Sequence, residues 1–305
     1  MKNKKRPALI RNIIQHWELY LLILPGILFF AIFKYAPMYG IQIAFKDYYP
    51  GMSYLDAEWV GFDNFMRFFK SYQFLSALGN TLSISLLQLV LGFPLPILLA
   101  LMLNSLRSNK LKKGLQTISY APHFISSVCM AGIILTFTSE YGIVSEIVTA
   151  ITGKEISLMS DPKLFKWIYV LSHVWKDAGW GSVMYIAALS SVDLALYEAA
   201  DVDGASKVQK IWYVDLPSIL PTVVIMLILK CGQILSIGYE EILMLQNPLN
   251  MPGSQVISTY SYQVGLLQQD YSYSTAVGMF NSVVNLVLLC TVNYISRKVN
   301  ETSLW

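Results

Sequence analysis

The chain has 305 residues, 55% of them hydrophobic and 13% charged, with a mean hydropathy of +0.50 and a formal net charge of +3. This make-up excludes an ordinary soluble globular domain, and the charge is too small to argue for nucleic-acid binding. What remains is a polytopic membrane protein, in which Cys129, Cys231 and Cys290 all fall inside apolar runs, without metal-site or disulfide-framework spacing.

Residues 1–17 carry Lys2, Lys4, Lys5, Arg6 and Arg11 and precede an apolar run from Leu19 to Phe33. A basic head before an apolar run also describes a signal peptide. Here the run continues past Lys34 to Phe45 without a small-residue cleavage site, which predicts a retained first span with Lys34 snorkelling near its outer end. Residues 48–77 are rich in aromatic and acidic side chains and read as an outer segment with an interfacial amphipathic stretch. The second span is predicted over 79–103, kinked at Pro94 and Pro96, which a helix in lipid tolerates where neighbours satisfy the freed carbonyls.

Arg107, Lys110, Lys112 and Lys113 follow, and the uncharged stretch 114–139 predicts one third span with Pro122 and His123 near its start. Residues 141–166 are a polar outer segment with turn signals at Gly153-Lys154 and Asp161-Pro162. The fourth span, 167–190, is the least apolar and carries His173, Trp175, Lys176, Asp177 and Trp180. The fifth, 218–238, holds Lys230 near its centre. The sixth, 274–296, places Asn281 and Asn285 four apart, on one helix face. Each run is long enough to cross a hydrocarbon core of roughly 30 Å.

Six crossings put both ends on one side. Counting Lys and Arg, the flanks on the side of the N-terminus hold thirteen against six on the other, so the positive-inside rule predicts that both termini are cytoplasmic. The chain divides into a basic head (1–17), a first span with its outer segment (18–78), a transmembrane domain (79–296) and a tail (297–305).

Between the fourth and fifth runs lies YEAADVDGASKVQKIWYVDLPSILP, Tyr197 to Pro221. The alanines flanking Asp203-Gly204 predict a short helix, a tight turn through Gly204 and a second helix. In order, Glu198-Ala199-Ala200, Asp203-Gly204-Ala205, Trp212, Leu216-Pro217 and Pro221 resemble the EAA motif of the membrane subunits of type I ATP-binding-cassette importers. The resemblance implies an all-α, six-helix permease whose short cytoplasmic coupling helix docks into a separate ATPase. It also implies a second, similar permease, two ATPase subunits that hold the ATP and magnesium, and an extracellular lipid-anchored solute-binding protein. No cofactor is expected on this chain itself.

Further patterns narrow the branch. Gly61 to Phe65 (GFDNF), Asn80-Thr81, Ser258 to Tyr262 and the early Pro25-Gly26 with Tyr35-x-Pro37-Met38-Tyr39-Gly40 resemble the complex-carbohydrate permeases of Gram-positive bacteria. That branch implies an oligosaccharide substrate, with Tyr260 and Tyr262 at an outer gate met by the binding protein; the bland alternative is a solvated loop.

Charges within spans are costly and mark cavities or partners, so Lys176, Asp177 and Lys230 are candidates for the substrate path, the alternative being a buried Lys176–Asp177 or Asp177–Lys230 ion pair. Trp175 and Trp180 are candidates for stacking on sugar rings, or else face lipid. Asn281 and Asn285 either meet hydroxyl groups or hydrogen-bond between helices. The chain has no glycine-rich lysine loop for a nucleotide, and His16, His123 and His173 have no catalytic spacing. An ion-driven secondary transporter is the competing class, with the three intramembrane charges as its coupling groups, but no inverted repeat is evident. A non-sugar solute and a non-transporting scaffold stay open.

Overall fold

The computed structural model describes residues 15–106, 108–300 and 303–304. The basic head up to residue 14 and Arg107, which contribute to the charge count, lie outside the described residues.

The first span runs unbroken from Trp17 to Phe45, as α1 (Trp17–Phe30), a π turn (Ala31–Tyr35), one helical turn and a 3-10 segment (Tyr39–Phe45). Its most apolar stretch buries nothing against the rest of the chain. A helix apolar on all sides and unpacked presents that surface to lipid or to another chain. A two-residue hairpin pairs Lys46 with Trp59 and Asp47 with Glu58, closing the loop ahead of amphipathic α2 (Asp63–Lys70).

The second span is longer than predicted: α3 (Tyr72–Gly92) begins at the Ser71 cap, whose hydroxyl accepts from the Phe74 N–H, and α4 (Pro94–Asn104) follows a break at Phe93. The third departs most from expectation. Instead of one helix over 114–139 there are α5 (Asn109–Tyr120), a 3-10 turn (Ala121–Phe124) and α6 (Ser127–Phe137), with the two halves bent by 95°. Pro122 cannot donate an interior hydrogen bond, Ile125 is extended, and the Ser126 hydroxyl caps α6 through the Cys129 N–H.

After α7 (Ile143–Thr152), Asp161 caps α8 by accepting from the Lys163 N–H at 2.7 Å, so α8 covers Pro162–Ser190 and Lys176 falls at its middle. The coupling segment forms α9 (Leu194–Val202), bent 75° from α8. The fifth span starts eleven residues earlier than predicted, as a helical turn from Lys207, a π turn (Ile211–Asp215) and α10 (Leu216–Cys231). Lys230 thus stands in its last turn and not near its centre.

The outer segment beyond it is folded. α11 (Tyr239–Leu245), a turn at Met251–Ser254 and α12 (Ile257–Tyr262) lead into α13 (Tyr271–Asn300). Asn80 donates its side-chain amide to the Pro252 and Gln255 carbonyls, and Asn250 donates to the Met159 carbonyl at 2.8 Å, which fixes the segment to α3 and to the stretch ahead of α8.

Three apolar clusters hold the bundle. Ile84, Met130, Ile134, Phe165, Tyr169 and Ile242 join α3, α6, α8 and α11. Phe68, Ile257, Tyr260, Tyr273 and Val277 join α2, α12 and α13. Ala100, Leu101, Tyr185, Leu189 and Ile219 join α4, α8 and α10 beside the coupling helix. Four segments are long and apolar enough to cross a membrane singly, and the two bent pairs bring the total to six.

Candidate functional site

The coupling helix is built by local rules that its sequence spells out. Asp193 starts α9 by accepting from the Ala195 N–H at 3.0 Å. Gly204, at φ +71°, ends it. The Gly204 N–H bonds the Asp201 carbonyl at 3.1 Å and the Ala205 N–H bonds the Ala200 carbonyl at 2.9 Å, which is the paired closure of a Schellman turn. Ser206 and Gln209 then cap the next helix reciprocally. Lys210 pairs with Asp201 across the turn.

The result is a capped knob that the described residues leave uncovered. No residue of α9 is buried, and Glu198, Ala199 and Asp203 are exposed. Val202 is 88% exposed, Leu194 73%, Tyr213 79% and Trp212 61%. A shallow hollow of about 410 Å³ runs between Ala199, Ala200, Gly204, Ala205, Lys210 and Tyr213. Apolar side chains of this size, set in a polar turn, form a surface shaped for another protein. Pro217 sits in the first turn of α10, just after the π turn that sets off Asp215.

The root of the knob carries residues that sequence reading missed. Asp215 is 3% exposed; it accepts from the Tyr197 hydroxyl and, at 3.3 Å, from the Asn104 side-chain amide. Tyr197 and Asp215 lie inside the recognised motif, but Asn104 is 111 residues from Asp215 and nothing in its own neighbourhood signals the contact.

A second polar site lies halfway along α8. A cavity of about 180 Å³ is lined by Asp177, Lys230, His173, Gln88, Gln233 and Ser85 among others, so the structure brings Asp177 and Lys230 to one space. Neither expected ion pair forms. The partners of Asp177 are His123, with Nδ1 at 3.0 Å, and His173 one turn earlier, with Nδ1 at 3.9 Å. His123 lies in the half of the third span ahead of the bend, which packs on α8 where Ser119 meets Gly179. His173 Nε2 faces the buried carboxylate of Glu241 at 3.4 Å, linking α8 to α11. Lys176 is buried, without an ion pair among the described residues, and does not line the cavity.

The aromatic and amide candidates separate. One face of Trp180 is stacked by His123 at 4.9 Å, and the indole remains 45% exposed, while Trp175 is 53% exposed. Asn285 accepts from the Leu235 N–H at 3.1 Å and donates to the Ser236 hydroxyl, a residue of the cavity lining, tying off the end of the fifth span. Asn281 Oδ1 is buried with no partner. Tyr260 is packed inside the chain with its hydroxyl 2.9 Å from that of Tyr273, and has almost no surface to offer a binding protein in this conformation. Tyr262 stacks on Tyr239 at 5.1 Å near the surface of the outer segment.

A multi-pass helical bundle with a polar cavity between its spans and an uncovered knob at one end defines a membrane transport subunit. Residues 92–301 match the family described as binding-protein-dependent transport system inner membrane component. The chain belongs to that family.

Two relatives match nearly its whole length. LplB of Bacillus subtilis is 42% identical over 288 residues, 94% of this chain and 91% of that protein. The polygalacturonan/rhamnogalacturonan transport system permease protein YteP, also of Bacillus subtilis, is 41% identical over 305 residues, all of this chain and 95% of the relative. A chain of a bacterial alginate ABC transporter, solved in complex with an alginate pentasaccharide-bound periplasmic protein, superposes with a TM-score of 0.88 at 42% identity, covering 98% of this chain and all of that one.

Proposed function

We propose that this chain is a permease subunit of an ATP-driven importer, carrying an oligosaccharide across the cell membrane by alternating access. The observation that carries the reading is the knob around Glu198, a capped helix none of whose side chains is buried among the described residues. The polygalacturonan/rhamnogalacturonan permease and the alginate transporter that this chain resembles support a carbohydrate substrate.

Both termini and the knob face the cytoplasm. Two ATPase subunits, which alone hold ATP and magnesium, grip the knob through Glu198, Ala199, Ala200, Asp203, Gly204 and Ala205, with Trp212 and Pro217 behind them. A second, similar permease completes the cavity, and an extracellular lipid-anchored binding protein delivers the sugar to the side of Tyr260 and Tyr262. Asp177, Lys230 and the open face of Trp180 line the path. Trp175, Lys176 and Asn281 are less directly placed, and hydrolysis itself takes place on the partner.

Purification of the tagged chain from its own membranes tests the assembly. An ATPase and a second permease should come with it, and Glu198→Lys should abolish uptake of the glycans retained by the cognate binding protein while membrane insertion persists. Undiminished uptake by that variant refutes the coupling role.

A further inference from the structure

The coupling helix is attached to the bundle by more than its two ends. Among the described residues no ion pair includes Asp215, although its carboxylate is buried. Neutral donors hold it: the Tyr197 hydroxyl from α9 and the Asn104 amide from the last residue of α4. Asn104 also lies 3.4 Å from the Tyr197 hydroxyl, so the three side chains close a triangle across three elements. A buried carboxylate without a cation is expensive, and an apolar side chain of similar size would pack there more cheaply. The residue also ends a π turn, a local widening of the helix found disproportionately at functional positions.

The mechanical consequence follows from what α9 lacks. It buries no side chain of its own: the Asp201–Lys210 pair ties it only to the helix after the Gly204 turn, whereas the triangle ties it to α4 and to the start of α10. Beside it, Ala100 and Leu101 of α4, Tyr185 and Leu189 of α8 and Ile219 of α10 already share one apolar cluster. Fastening Tyr197 to Asp215 and Asn104 adds α9 to that body.

We propose that Asn104, Tyr197 and Asp215 form a clasp that makes the coupling helix move as one body with the ends of α4 and α10, so that force applied at Glu198 reaches the second span as well as the fifth. The three are positioning residues, and the proposal rests on the reading of α9 as the element gripped by the ATPase.

The test uses the assembled importer, with its second permease and both ATPases, in lipid nanodiscs. Cys129, Cys231 and Cys290 are changed to alanine, and nitroxide labels are placed at Val202 on α9 and Met102 on α4, both exposed. Distances are read before and after trapping with ATP and vanadate. In the parent protein the Val202–Met102 distance should stay fixed. Tyr197→Phe, which keeps the ring and removes only the hydroxyl, should lower the ratio of clasped to displaced molecules about tenfold, as for a lost hydrogen bond to a charged group. Asp215→Ala should do the same, whereas Asp215→Asn keeps an acceptor oxygen and should restore the parental distance. A shift on trapping in the parent protein, or one unchanged distance across every variant, overturns the clasp. A second label pair, Val202 to the ATPase, separates the two levels: a long distance there overturns the coupling reading and the clasp's role with it, whereas a short one leaves any failure to the clasp alone.

Discussion

Two glycines show how differently a single position can matter. Gly204 has open space around a would-be Cβ, so its constraint is the positive φ alone. Gly204→Val should cost about 1–2 kcal/mol of local strain and unfasten the Schellman turn, lowering uptake without changing the amount inserted, as blotting of membranes beside an uptake assay would read out. Gly179 is the reverse case: a Cβ there would stand 1.8 Å from the Ser119 carbonyl oxygen, so α8 and α5 touch through backbone. Gly179→Ala should drive them apart and destabilise the protein by about 1–3 kcal/mol, while Gly278→Ala, with nothing within 4 Å, should leave thermal unfolding in detergent near that of the parent. The first of these glycines was legible because a turn signal is local. The second was not, because its reason lies sixty residues away, across a contact that no pattern in either segment encodes.

Elements were legible where their ends are marked by caps or their cores by uninterrupted apolar runs, and illegible where tertiary contact decides. The six apolar runs and the short helix ahead of Gly204 follow from hydropathy and turn chemistry, whereas the 95° bend of the third span depends on Pro122, the extended Ile125 and the Ser126 cap acting together. The 3-10 turn ahead of that bend supplies His123, and not a lysine, as the partner of Asp177. Asn281 and Asn285 illustrate the same limit on one element, since equal spacing on α13 led to different fates. Asn285→Ala removes two hydrogen bonds that secure the end of the fifth span, and should cost about 1–3 kcal/mol in thermal unfolding. Asn281→Ala deletes an acceptor that has no partner, so stability should hold or rise, and any loss of uptake in it would assign Asn281 to the sugar path.

For the whole molecule, the distribution of charge and the position of the knob make one joint statement about orientation. Thirteen basic residues flank the spans on the side of α9 and six flank the other, and the proposed grip of an ATPase on the knob needs that same side to be the cytoplasm. The two arguments share no residue of the knob's surface except Lys207 and Lys210, so they can be tested together by labelling from outside. In the background lacking native cysteines, Val202→Cys on the knob should resist a membrane-impermeant maleimide in intact cells and react after permeabilisation. Leu55→Cys, 77% exposed in the loop closed by the Lys46–Trp59 hairpin, should react in intact cells. The opposite pattern would put the knob where no nucleotide-driven partner can reach it. Because α1 buries no side chain among the described residues, the positive-inside rule predicts that the basic head ahead of it sets its orientation. Changing Lys2, Lys4, Lys5, Arg6 and Arg11 to glutamine should therefore raise the fraction of chains in which Leu55→Cys is shielded, while the twelve-residue basic helix α5 continues to hold the later spans in place.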